Sequence, residues 1–197
     1  MNIKQAETVY AIHDLIKKRW SPRAFSEQTV AKGRVYQLLE AARWSSSSYN
    51  DQPWRFIVGI KGDGPTYDKI FETLVEFNQN WAKTAPVLML ACAKIKSDTI
   101  GEDNKYFAYD TGQAVATMIF QATELGLYAH QMGGFSPDKA RALFNIPSEY
   151  EPLSAIALGY PGDPEVLSDD LKGSELEKRQ RKPLQETCFK ETWENGF

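Results

Sequence analysis

Cysteine and histidine are scarce in this chain, with two of each among 197 residues. Cys92 sits inside an apolar run and Cys188 lies near the C-terminus. They form no CxxC pair and no disulfide framework, which is consistent with a reducing compartment. His13 falls on an early helix and His130 in a strand-like run, so a histidine-rich metal site cannot be assembled within one chain. Both are expected to be structural or surface groups, and no metal ligand is assigned. Long apolar runs are missing too. The longest, 86–93, is far short of the roughly 20 residues that cross a bilayer. The N-terminus MNIKQAETVY has no basic-then-apolar signal pattern, so a cytoplasmic protein without a membrane partner is expected. Nor does charge of one sign dominate. The balance of 23 basic against 26 acidic side chains leaves −3, which disfavours nucleic-acid binding while permitting a small basic pocket. There is no GxGxxG after a strand, no GxxxxGK[ST] loop, no HExxH and no GxSxG elbow.

What is present suits one domain spanning 1–197. With 42% hydrophobic residues and 12% aromatics, a chain of this size can bury about 70% of its unfolded surface without metal or disulfide staples. Helical periodicity runs through Val9, Ile12 and Ile16, through Val35, Leu38, Leu39 and Ala42, and through Val115, Met118, Ile119, Ala122 and Leu125. The third helix is expected over 104–126. It is apolar around much more than one stripe, so it belongs in the core or against a second subunit. Strands are expected at 54–60, 87–93, 127–132 and 153–160, the second and fourth being continuous apolar runs with both faces covered. Ser136 followed by Pro137 announces a short helix that ends before Pro147. This alternation suggests a three-layer α/β arrangement around a small central sheet. Residues 162–177 turn acidic and turn-rich, and 179–197 are basic and aromatic. The expectation is a linker followed by an arm within the same domain, which either frays or docks through Phe189, Trp193 and Phe197. Asp169 and Asp170 lie in that linker as solvated charge. No internal repeat is found.

Four segments place basic, hydroxyl or amide groups, or bare backbone, where a polar ligand could be held. In Arg19-Trp20-Ser21-Pro22-Arg23 two guanidinium forks and a hydroxyl leave a proline-fixed turn together. Cations offsetting a helix dipole would account for Lys17, Lys18 and Arg19, but not for Arg23 beyond the proline. Ser45-Ser46-Ser47-Ser48-Tyr49-Asn50-Asp51-Gln52-Pro53-Trp54 is a run of hydroxyls and amides between a helix and a strand. A plain serine-rich loop would have the same composition, yet the abrupt switch into Gln-Pro-Trp suggests a positioned one. Phe77-Asn78-Gln79-Asn80-Trp81 sets amides beside aromatics, which helix capping would equally explain. The fourth combines Met132-Gly133-Gly134-Phe135 with Arg179-Gln180-Arg181-Lys182-Pro183-Leu184. Paired glycines admit a flat or anionic ligand, and arginines two apart on an extended chain point the same way, although a turn and a solvated basic run are the plainer alternatives.

In their order, RWSPR, SSSYNDQPWRF, FNQNW, DTGQAVATMIFQATELGL, GGF and RQRKPL closely resemble the nitroreductase family of FMN-dependent oxidoreductases, over roughly 12–186. The resemblance implies an α+β fold with a central mixed sheet between helices, a homodimer with a long interface helix, and two FMN sites at the subunit boundary. It implies that Arg19, Ser21 and Arg23 hold the FMN, with Arg23 nearest the N1/O2 edge, and that Asn78 meets the pyrimidine edge. Ser46, Ser47, Ser48 and Asn50 would reach the flavin from the partner subunit, and Arg179 with Arg181 would clamp the phosphate. Gly133 and Gly134 would pass the N5 side. The family loop commonly reads Ala-Pro-Ser-Ser-Gly-Asn. Here Ser46 replaces the proline and Tyr49 the glycine, which turns Tyr49 toward the substrate side.

The implied activity is FMN-dependent, with NAD(P)H as donor and a nitroaromatic, quinone or related small-molecule acceptor reduced by two electrons in ping-pong fashion. A fixed cation near N1 and O2 stabilises reduced flavin. Arginine suits that task and is a poor proton donor, so no obligatory catalytic acid or base is assigned. Alternatives are a relative acting on an enone, a halophenol or free flavin, and a flavin-binding or storage module with little turnover.

Overall fold

A computed structural model describes residues 4–197. Its centre is a four-stranded sheet made of β1 (Trp54–Ile60), β2 (Val87–Lys94), β3 (Tyr128–Met132) and β4 (Tyr150–Gly159), in the order β1-β2-β4-β3. All three pairings are antiparallel. The mixed sheet implied by the resemblance is therefore not found among the described residues. The connections give the reason. Between β1 and β2 lie two helices, α3 (Thr66–Thr73) and α4 (Glu76–Ala82), and a helical pair that goes out and back delivers an antiparallel neighbour. Between β2 and β3 runs the single helix α5 (Phe107–Glu124), so these two strands point the same way, but β4 is inserted between them.

β2 explains the three layers. Its alternate residues Leu88, Leu90 and Cys92 face one core with Ile70, Trp81 and Ala155, while Val87, Met89 and Ala91 face the other with Leu38, Met118 and Ile156. The period-two alternation of the strand thus loads both faces, which is why its sequence reads as an unbroken apolar run. Burial also pushes the Cys92 thiol up to about 11, leaving it an inert packing group. The second core is closed by α2 (Lys32–Arg43) against α5. The first is closed by α3, α4, α6 (Pro137–Phe144) and α7 (Asp169–Leu176). Ser136 caps α6 as expected, its Oγ accepting from the Lys139 N–H at 3.2 Å, and the helix stops at Asn145 in the left-handed region.

Helix α5 buries Thr111, Ala114, Val115, Met118 and Ile119 but leaves Ala108, Gly112 and Ala116 on an exposed face. It ends where Gly126 takes φ +74° and Leu127 N–H returns to Ala122 O at 2.8 Å.

Two expectations need correction. The helix read from Val9, Ile12 and Ile16 shrinks to α1 (Asp14–Lys18), with Val9 92% exposed and Ile16 43% exposed. Nothing among the described residues covers that apolar stripe, and a helix this short gains too little from its own hydrogen bonds to extend alone. The acidic stretch 162–177 is not a linker, because it holds α7. Leu167, Leu171 and Glu175, spaced by four, are its buried side, and Asp169 with Asp170 sits favourably in the first turn. Beyond it, the Phe189 and Trp193 rings lie 5.0 Å apart, while Trp193 and Phe197 stay exposed.

Candidate functional site

The turn after α1 carries Arg19, Ser21 and Arg23. It is gripped from three sides. Glu175 of α7 accepts from the Arg23 N–H (2.9 Å to Oε1 and 3.1 Å to Oε2) and from the Ala24 N–H (3.1 Å). Arg179 donates through Nη1 to Lys17 O at 2.8 Å and to Lys4 O at 3.1 Å. From the sheet, His130 Nδ1 lies 3.0 Å from Pro22 O. A carbonyl only accepts, so the proton is on Nδ1.

The guanidinium groups gather here without ion-pairing carboxylates among the described residues, Glu175 being taken up by the backbone. Arg19 has Ser21 Oγ as its hydrogen-bond partner at 3.4 Å, and Arg181 bonds the neighbouring Gln180 O at 2.6 Å. None of Arg19, Arg23, Arg179 or Arg181 has an ion-pair partner among the described residues. Arg23 Nε is buried with no hydrogen-bond partner. Burial, and then the charge of Arg181, lowers the Arg19 guanidinium from its ordinary value; burial, Arg19 and Arg181 together do the same to Arg179. Arginines that stay charged while repelling one another make a cradle complementary to a phosphate or another anion.

Behind the turn, α4 and the end of β3 meet. Asn78 and Trp81, three apart on α4, face β3 together. Asn78 Nδ2 donates to Gly134 O at 2.9 Å, and the Trp81 ring packs 4.6 Å from the His130 ring. A Cβ on Gly134 would stand 2.6 Å from Asn78 Nδ2 and 2.9 Å from a Val75 methyl, so any larger residue would displace Asn78 or Val75. Around Gly133 the space is open, which leaves its backbone accessible to a flat ligand. A relay of contacts thus runs from Gly134 and Asn78 through Trp81 and His130 to Pro22 of the arginine turn, where Arg179 and Arg181 lie close enough to Arg19 to act on its charge.

The serine loop lies elsewhere. Ser46 Oγ is 3.3 Å from Gln113 Oε1, Ser48 N–H donates to the buried Asp110 at 3.0 Å, and Ser47 Oγ accepts from Gln52 N–H at 3.0 Å. Asn50 O accepts from Gln52 Nε2 at 3.1 Å. These contacts seat the loop on the first turns of α5, beside its exposed small-residue face, and no hydrogen bond among the described residues joins it to the arginine turn. Tyr49, Asn50 and Gln52 all have φ near +50°. Tyr49 therefore occupies the left-handed region that a glycine would favour. Relieving that strain should make Tyr49→Gly more stable than Tyr49→Ala by about 1 kcal/mol in urea unfolding. Equal midpoints would show that the loop is unstrained.

Reading along the sequence missed Glu175, His130 and Asp110 as parts of these clusters. For Glu175 the signal was its spacing of four from Leu171 and Leu167. The two histidines are structural as expected, since His13 Nδ1 caps α1 by accepting from Leu15 N–H at 3.2 Å. Burial, with Arg23 adding to it, pushes His130 down to about 4. Above about pH 6.5 both folded and unfolded states hold it neutral. Below that the unfolded chain takes up the proton first, so stability falls as pH drops toward 4 and then levels off. From pH 6.5 to 5 the loss should be about 1.5 kcal/mol by chemical denaturation. His130→Gln should flatten that slope, and an unchanged slope in the variant would contradict the assignment.

The nitroreductase family model matches residues 16–160, and the chain belongs to that family. A crystal structure described as an oxidoreductase containing FMN superposes with a TM-score of 0.91 at 32% identity, covering 98% of each chain. An uncharacterized 15.4 kDa protein of Mycolicibacterium smegmatis is 32% identical over 150 residues, 72% of this chain and 98% of that one. The Bacillus subtilis FMN reductase [NAD(P)H] is 29% identical over 160 residues, 73% of this chain and 63% of that protein.

Proposed function

We propose that this chain is an FMN-dependent NAD(P)H oxidoreductase that reduces nitroaromatic, quinone or related acceptors by a two-electron ping-pong route. One observation carries the reading: four arginines cluster at one turn with no ion-pair partner among the described residues, the one carboxylate there, Glu175, being held by backbone N–H groups, and the Arg23 Nε is buried without a hydrogen-bond partner among those residues. A nucleotide-like cofactor with a phosphate at one end and an electron-accepting ring at the other fits that donor set. When bound, FMN supplies the hydride chemistry. Arg19, Ser21 and Arg23 would hold it, and Arg179 with Arg181 would clamp its phosphate. Arg23 would supply a permanent positive charge at the N1/O2 edge, where reduced flavin accumulates negative charge, and Asn78 would meet the pyrimidine edge. Gly133 and Gly134 give the ring room on the N5 side. No protein group need donate a proton, because arginine does not release one and His130 stays neutral at working pH.

The same reading makes the protein a homodimer. The exposed face Ala108, Gly112 and Ala116 of α5 is small enough for close helix contact, and Val9, Ile12 and Ile16 add an uncovered apolar stripe. In such a dimer Ser46, Ser47, Ser48 and Asn50, seated beside that face, reach the partner's flavin, and Tyr49 lines the acceptor side. A cytoplasmic location completes the reading; among the described residues no helix is long and apolar enough to cross a membrane.

The test is the visible spectrum of the FMN-loaded protein before and after anaerobic addition of NADPH or NADH. A flavin band that bleaches rapidly, followed by parallel initial-rate lines with a quinone, is the expected result. A band that forms without bleaching would favour flavin storage, and absence of a band would overturn the cofactor assignment.

A further inference from the structure

Glu175 lies outside the stretch 16–160 that the family model matches, yet it is 3% exposed and reaches back across the chain to the arginine turn. A buried carboxylate is costly unless its oxygens are occupied, and here they are occupied by backbone, not by a cation. Oε1 receives the N–H groups of Arg23 and Ala24, and Oε2 shares the first of these. Four residues further on, Arg179 donates to Lys17 O, just before the same turn, and to Lys4 O of the N-terminal segment. Both flanks of the Arg19–Arg23 segment are thus fastened by two side chains of one C-terminal stretch, while His130 holds Pro22 O from the sheet.

We infer that Glu175 is a positioning residue for Arg23: its carboxylate fixes the backbone at 23 and 24 and thereby aims the Arg23 guanidinium at the cofactor site. This rests on the FMN reading above. Its specific content is that Glu175 acts through the placement of Arg23 and not through its own charge. Glutamine at this position would keep the shape but offer one acceptor oxygen, and with that oxygen in the Oε1 place would set an NH2 against the Arg23 N–H. The turn would then shift and Arg23 with it.

The test is a double-mutant cycle on the full-length protein, titrating apoprotein with FMN and measuring the midpoint potential of the bound flavin. Glu175→Gln should weaken FMN binding by about 10-fold and lower the potential. In an Arg23→Leu background the same change should alter affinity less than 2-fold and leave the potential where Arg23→Leu alone sets it. Additive effects in the two backgrounds would overturn the proposal. So would an upward shift of potential in Glu175→Gln, which is the signature of a removed negative charge alone. Should the glutamine variant not fold, Glu175→Asp keeps the charge and withdraws it by one methylene; it should show the same signs at smaller size. A wild-type protein that binds no FMN would sink the cofactor reading and this inference together. Normal wild-type binding with an unaffected variant would sink this inference alone.

Discussion

Arg23→Leu should lower FMN affinity by about 100-fold and shift the potential of any flavin that remains bound to more negative values. The magnitude follows from where the guanidinium sits. Its Nε is buried without a hydrogen-bond partner and its guanidinium has no ion-pair partner among the described residues, so no ion pair there takes up its charge. In a partly dehydrated turn a positive charge acts on a neighbouring anion more strongly than in water. A cation held at N1/O2 interacts more strongly with reduced than with oxidised flavin, so its removal costs reduced-state affinity most and the potential falls. Arg23→Lys should lie between the two proteins, because it keeps the charge and loses the planar fork. Fluorescence titration of apoprotein and spectroelectrochemistry measure both quantities. Affinity within 2-fold of wild type, or an unchanged potential, would remove Arg23 from the site.

Much of the fold was legible because the sheet declares itself locally. The VLMLACA run could only be a strand covered on both faces, and residues 87–93 open β2 with that pattern. The cap at Ser136-Pro137 was equally local, since its signal lies within four residues. What stayed hidden depends on partners far along the chain. Leu167, Leu171 and Glu175 look like acidic turn sequence until the turn at Arg23 and Ala24, about 150 residues earlier, supplies donors for the carboxylate. The early helix failed for the converse reason. Its period of apolar residues is real, but among the described residues no surface covers it.

The candidate site shows the same division. Arg19, Ser21 and Arg23 were legible from one proline-bent segment, and Gly133-Gly134 from the bare backbone at a strand end. The joint between them was not, because it runs through Trp81, His130 and Pro22, residues whose sequence context suggests packing and nothing more. The serine loop illustrates another limit. The sequence suggested a positioned loop, but the groups that hold it, Gln113 on the Ser46 hydroxyl and Asp110 on the Ser48 N–H, belong to a helix more than 60 residues further along the chain.

Trp81→Ala should cost about 3–5 kcal/mol of stability, the usual range for emptying a buried aromatic site. Trp81 is 1% exposed, and its Nε1 is buried with no hydrogen-bond partner, so packing alone keeps it in place against the cost of an unmet donor. Trp81→Phe removes that donor while keeping most of the ring, and should cost about 1 kcal/mol. The ring also stacks on His130, which fastens Pro22 of the arginine turn. Once Trp81 is gone, water reaches the imidazole, the desolvation that holds its pKa near 4 weakens, and that pKa rises toward its ordinary value. Stability should then depend less on pH between 6.5 and 5 in Trp81→Ala than in the wild type, even though it is lower at both. Urea unfolding at the two pH values reads both effects at once. A large loss at each pH with the wild-type difference intact would mean that Trp81 supports the core but does not shield His130, and the link between the core and the arginine turn would have to run through another contact.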